Sequence, residues 1–119
     1  MKAMVIEEFG SPSELKQVEI DKPMVQPHHV LIEVKATSVN PVDCRIRRGQ
    51  ALAMTSEFPA ILQGDVAGIV AEVGEGVTKF KVGDEVYGLA GGTKGTAGGA
   101  LADFMLADVD FLAFKPHNL

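Results

Sequence analysis

A chain of 119 residues with 46% hydrophobic and 23% charged residues has the length and balance of one globular domain with a real core, which excludes a disordered segment. The net charge of -5, with no basic run beyond Arg45, Arg47 and Arg48, removes the cationic surface that a sequence-independent grip on nucleic acid needs. The single cysteine, Cys44, excludes an internal disulfide framework and a zinc site of three or four thiolates. No window approaches eighteen unbroken apolar residues, and the opening MKAMVIEEFG turns acidic too soon for a signal peptide. A cytoplasmic protein without membrane association is the expectation.

Residues 1–6 are a short apolar run that predicts a strand, and 7–13 are a loop carrying Gly10 and Pro12. Residues 15–20 alternate imperfectly and stop at Asp21-Lys22-Pro23, where proline removes a ladder donor; this predicts a second strand near an edge. After a connection at 24–29 comes the clearest strand of the first half, 30–39. Val30, Ile32, Val34 and Ala36 share one face there, and Leu31, Glu33, Lys35 and Thr37 the other.

At Asn40-Pro41 the period changes. Asn40 suits an N-cap, Pro41 the first helical position and Gly49 the C′ position, while Asp43 and the pair Arg47 and Arg48 complement the two ends of the helix dipole. This predicts a helix of about two turns over 40–49. Residues 50–63 have no clear period and contain Pro59, so they read as a loop over the surface, long enough to carry a function.

Residues 63–88 organise the rest. Val66, Ile69, Val70, Val73, Val77, Val82 and Val86 are punctuated by Gly74, Gly76, Gly83 and Gly88, which predicts strand, tight turn, short irregular crossing, second turn and strand. Residues 89–99 hold five glycines in eleven positions and cannot pack a core. They match neither a phosphate loop nor a dinucleotide fingerprint, and read as a mobile connector or a lid. Two more short strands are expected at 100–107 and 111–115, around the turn Asp108-Val109-Asp110. Six or seven short strands with one short helix predict an all-β barrel or sandwich.

SVNPVDCRIRRG at 38–49, GDVAGIVAEVGEGVTKFKVGDEVYG at 64–88 and GGALADFMLADVDFLAFKP at 98–116, with the opening MKAMVIEEFG, cover nearly the whole chain. They resemble, in order, the N-terminal GroES-like part of the medium-chain dehydrogenase/reductase (zinc-type alcohol dehydrogenase) superfamily, and most closely its zinc-independent quinone oxidoreductase branch. The resemblance implies a mainly β, GroES-like, partly open β-barrel with one or two short helices. It also implies that residues 1–119 are a catalytic-domain fragment lacking the Rossmann cofactor domain. The whole enzyme would then use NADPH to deliver hydride to a quinone, a carbonyl or an activated double bond, with the fragment inactive alone. A small-molecule substrate, no nucleic acid, no membrane, a homodimer at full length and a monomeric fragment are the implied associations. The alternatives are a zinc-dependent alcohol dehydrogenase domain and a non-catalytic GroES-like interaction module.

In zinc-dependent members a cysteine stands at the position matching Asn40, and a histidine and an acidic residue at those matching Gly64 and Asp65. Asparagine and glycine supply neither thiolate nor imidazole, and 89–99 has no cysteine for the family's structural zinc; no zinc is expected. Cys44, one helical turn from Asn40, either substitutes as a ligand or is a small buried residue. The resemblance implies catalytic roles for Asn40, Asp43 and Arg45, and cofactor binding by Asn40, Pro41, Arg47, Gly64 and Asp65. Asn40 would lie beside the nicotinamide and Asp43 would shape the pocket. Arg45 and Arg47 either aim planar forks at an anionic ligand or are solvated. Asp65 either lies at the cleft or bonds turn amides. Asp84 reads as a turn residue, His28, His29 and His117 as solvated surface, and Tyr87 as core.

Overall fold

The computed structural model describes residues 1–93, 96 and 98–116. The expectation for His117, and those for 94, 95 and 97 in the glycine-rich loop, lie outside the described residues. Strands β1 (Lys2–Val5) and β2 (Lys16–Glu19) form an antiparallel ribbon. Strands β3 (His29–Thr37), β4 (Asp65–Val73), β5 (Glu85–Leu89), β6 (Phe104–Asp108) and β7 (Leu112–Phe114) build a second sheet in the order β6-β3-β4-β5-β7. Every pairing is antiparallel, and β6 and β7 stay at opposite ends, so the sheet is open. The mainly β, partly open GroES-like barrel expected from the sequence is what forms. Helix α1 (Pro41–Arg47) is its only α-helix among the described residues, supplemented by 3-10 turns such as Leu52–Met54 and Val109–Phe111.

Alternation explains most of the burial. Val66 and Val70 of β4, Val86 of β5, and Val30 and Ile32 of β3 turn inward around Phe80, Met105 and Leu112. Leu31, on the opposite face of β3, is buried as well, so the first half of that strand is covered on both sides. The same alternation overturns the core expectation for Tyr87: its neighbour Val86 takes the inward position, and Tyr87 faces out with 45% of its surface exposed.

A second cluster joins Ile6, Ile46, Ala60 and Leu62, with Leu15 and Val42 packed against it. It seats α1, because Ile46 is fully buried; complete burial of such a side chain is worth about 1.5–3 kcal/mol. Residues 50–63 are therefore only partly a surface loop. Ile6 and Ala60 exchange two backbone hydrogen bonds of 2.9 Å, and Ala60, Leu62 and Gln63 are buried. A single bridge needs extended backbone but no repeating pattern, so periodicity gives it no signal.

Two register shifts between β3 and β4, at Leu31/Ile32 and Val34/Ala36, bend the end of β3. The last pair in the ladder is Thr37 with Val66. The chain leaving β3 toward α1 thus passes over the first residue of β4, Asp65.

Candidate active site

The site begins at that crossing. Thr37 Oγ1 donates to the Asp65 backbone carbonyl at 2.7 Å. Ser38 Oγ donates to Asp65 Oδ2 at 2.6 Å and Asn40 Nδ2 donates to the same oxygen at 2.9 Å. The Ser38 hydroxyl first, and the Asn40 amide second, hold the Asp65 carboxyl below its ordinary range, since both donate to the charged form. Asp65 is therefore an anion at neutral pH.

Helix α1 starts where the sequence expects it. The Asn40 N–H donates to Asp43 Oδ2 at 2.9 Å, while the Asp43 N–H donates to the Asn40 backbone carbonyl at 3.0 Å. The two residues face each other as a capping pair, with Pro41 opening the first turn. Asp43 is only 5% exposed, and its carboxylate is held by this contact. Gly49 follows the C-cap residue Arg48 with φ +80°, a left-handed conformation that glycine adopts without strain.

Gln63 and Gly64 fix the other wall. Gln63 is a buried non-glycine residue at φ +73°, an uncommon conformation that costs on the order of 1–3 kcal/mol and persists only where its surroundings hold it. Those surroundings are the Ala100 N–H on the Gln63 carbonyl at 2.7 Å and the Ala90 N–H on the Gly64 carbonyl at 2.9 Å. At Gly64 a Cβ would stand 2.6 Å from the Gly91 carbonyl oxygen and 2.7 Å from Leu89 Cδ1. Glycine is required there because two backbone segments meet.

Between these walls lies a cavity of about 290 Å³. Asn40, Asp43 and Gly64 line it beside the apolar side chains of Val42, Met54, Leu89 and Phe111. Asp65 lies behind it, lining an adjoining recess of about 410 Å³ with Tyr87 and Leu89. Asn40, Asp43, Gly64 and Asp65 are thus brought together, and Pro41 is exposed at the rim of the helix. Arg47, expected to face a cofactor, is instead 7% exposed and donates from Nη1 to the Gly10 carbonyl at 2.6 Å. Arg45 is exposed and lies outside the cavity lining, as does the half-buried Cys44.

Sequence reasoning missed Ser38, whose partner is 27 residues away, and Met54 and Phe111, which reach the cavity from 3-10 segments that no periodicity announces. It also read His28 as simply solvated. His28 is exposed, but Nε2 lies 3.1 Å from Asp110 Oδ2 and 3.4 Å from Asp108 Oδ1. The hydrogen bond and charge of Asp110 raise its pKa above 6.5. Among the described residues this is the one grouping of potential metal-ligating side chains, and it is an ion-paired surface cluster.

An open antiparallel barrel with an apolar cavity beneath a capped helix defines a GroES-like β-domain. The sequence model of the alcohol dehydrogenase GroES-like domain matches residues 26–117, and the chain belongs to that family. It is 38% identical to an NADPH-dependent alkenal/one oxidoreductase of Arabidopsis thaliana chloroplasts and 40% identical to a quinone oxidoreductase of Mus musculus. Each match covers the whole of this chain, against 32% and 34% of the relative. The crystal structure of an alcohol dehydrogenase superfamily protein from Novosphingobium aromaticivorans superposes with a TM-score of 0.91 at 40% identity. That match covers all of this chain and 35% of the other. The chain thus spans about a third of the length of the relatives it matches.

Proposed function

We propose that this chain is the N-terminal part of an NADPH-dependent oxidoreductase that reduces a quinone, a carbonyl or an activated double bond of a small molecule without a metal. The observation that carries this reading is the cavity walled by Asn40, Asp43 and Gly64 with an otherwise largely apolar lining. The names of the relatives support the redox class and the dinucleotide. When bound, the cofactor supplies the hydride. In this reading Asn40 and Pro41 stand beside its reactive ring, Gly64 and Asp65 back them, and Arg45 offers its exposed guanidinium to an anionic group. Asp43 keeps the helix start, and so the Asn40 backbone, in place. Val42, Met54, Leu89 and Phe111 give the cavity an apolar wall against which the body of a small ligand can lie.

The metal-free reading rests on the donor set. Asn40 offers an amide, Gly64 offers no side chain and has no room for one, and the Asp65 oxygen already accepts two hydrogen bonds. A tetrahedral zinc site takes thiolate, imidazole and carboxylate ligands. A cytoplasmic location and a homodimer of the whole enzyme complete the proposal. Its test is NADPH oxidation by the purified full-length protein with a quinone and with a 2-alkenal, before and after exhaustive chelation. Turnover of either acceptor that survives chelation is expected. No turnover of either removes the reductase reading, and activity lost on chelation and restored by zinc removes the metal-free one.

A further inference from the structure

Asp65 does not line the cavity that Asn40 lines, yet its carboxylate holds the Asn40 side chain at 2.9 Å. A terminal amide is ambivalent: turned half a revolution, it exchanges a donor for an acceptor at nearly the same shape. A neutral partner would tolerate either setting. An ionised carboxylate accepts only, so the nitrogen of Asn40 must face Asp65 and the oxygen is directed elsewhere. Ser38 makes the choice firmer, because its hydroxyl shares Asp65 Oδ2 and favours the anion. The far side of the Asn40 residue is pinned as well, by the Asp43 carboxylate on its N–H. Hydrogen bonding to an anion also polarises the amide, which strengthens Oδ1 as an acceptor. The carboxylate that does line the cavity, that of Asp43, is engaged with the Asn40 N–H.

We propose that Asp65 is a positioning residue. Buttressed by Ser38, it turns the Asn40 amide so that Oδ1 stands at the cavity as a hydrogen-bond acceptor for a donor on the ligand, a primary carboxamide N–H or a hydroxyl. The orientation is a property of this chain. Only the assignment of the donor to a nicotinamide-type cofactor or to a hydroxylated acceptor rests on the function proposed above.

The test is the pair of Asn40 side-chain N–H resonances in the isotopically labelled protein, followed through an acid titration. The expected result is a shift of this pair with a midpoint below the ordinary aspartate range, moved upward in Ser38→Ala and abolished in Asp65→Leu. Asp65→Glu restores a titration. A purely packing role for Asp65 would leave the Asn40 resonances independent of pH, and that outcome overturns the proposal whatever the enzyme activity proves to be. Nicotinamide and a simple phenol, added separately, read the acceptor. A shift of Asn40 with nicotinamide assigns the donor to a carboxamide, and one with phenol assigns it to a hydroxyl; either is lost in Asp65→Leu. Asn40 resonances that move with neither probe overturn the acceptor assignment.

Discussion

Arg47 and Gly10 grip each other twice: the buried guanidinium donates to the Gly10 carbonyl at 2.6 Å, and the Gly10 N–H donates to the Arg47 carbonyl at 2.8 Å. The contact ties the last turn of α1 to the chain leaving β1. A hydrogen bond from a charged group contributes about 1.5–3 kcal/mol. Arg47→Met keeps the stem and removes the fork, so it is expected to lower unfolding stability by about that amount in a urea titration. On the function proposed above, the KM of the full-length protein for NADPH is expected to stay within about twofold of wild type, since twofold is only about 0.4 kcal/mol of binding. A rise of more than tenfold would return Arg47 to the cofactor site.

Gly64→Ala forces a Cβ into the approach of Gly91 and Leu89. Inserting a methyl into such a contact costs about 1–3 kcal/mol. The expected result is a lower thermal midpoint together with weaker ligand binding, because the displaced Gly91 lines the cavity. An unchanged midpoint would show that the two backbone segments give way freely.

The lowered pKa of Asp65 has a definite sign in the stability curve. Its unfolded value is near 3.8 and its folded value lies below that. The stabilisation is present above 3.8 and fades as pH falls through the folded value. The thermal midpoints of wild type and Asp65→Leu are therefore expected to differ at neutral pH and to converge in strong acid. A gap that stays constant with pH would place the whole effect in packing.

His28 runs the other way. Its pKa is raised from 6.5 by Asp110 first and Asp108 after it, so its contribution is full below 6.5 and is lost as pH rises through the folded value. His28 also sits at φ +65°, and asparagine is the replacement that tolerates this conformation. His28→Asn is expected to lower the thermal midpoint more at mildly acidic than at alkaline pH, with the difference shrinking in high salt. The reverse order would mean that the ion pairs at 3.1 and 3.4 Å do not form in solution.

What could be read from the sequence was local. Asn40, Pro41 and Gly49 mark both ends of α1 by chemistry within a few residues, and the period-two pattern of Val30, Ile32 and Val34 marks β3 without reference to any partner. Asn40, Asp43, Gly64 and Asp65 were gathered by resemblance alone, and the fold brings these four together. Ser38 on Asp65 was hidden because it depends on strand register, which two shifts in the β3–β4 ladder reset. Met54 and Phe111 were hidden because each lies in a single 3-10 turn of three residues, too short to show a period. Tyr87 was misread because hydrophobicity was weighed without counting which face of β5 it occupies.

The two hydrophobic clusters share no residue, yet Ala90 of the first and Val42, packed against the second, both line the cavity. The cavity lies on the seam between the two clusters. An occupant touches both and acts as a clasp, so saturation at a hundred times Kd is expected to add about 2.7 kcal/mol to unfolding. With the clasp removed, Leu62→Ala on one side and Val70→Ala on the other are expected to lower stability nearly additively, because mutations without shared partners do not couple. With it in place, the seam becomes the path by which one side of the domain senses damage to the other.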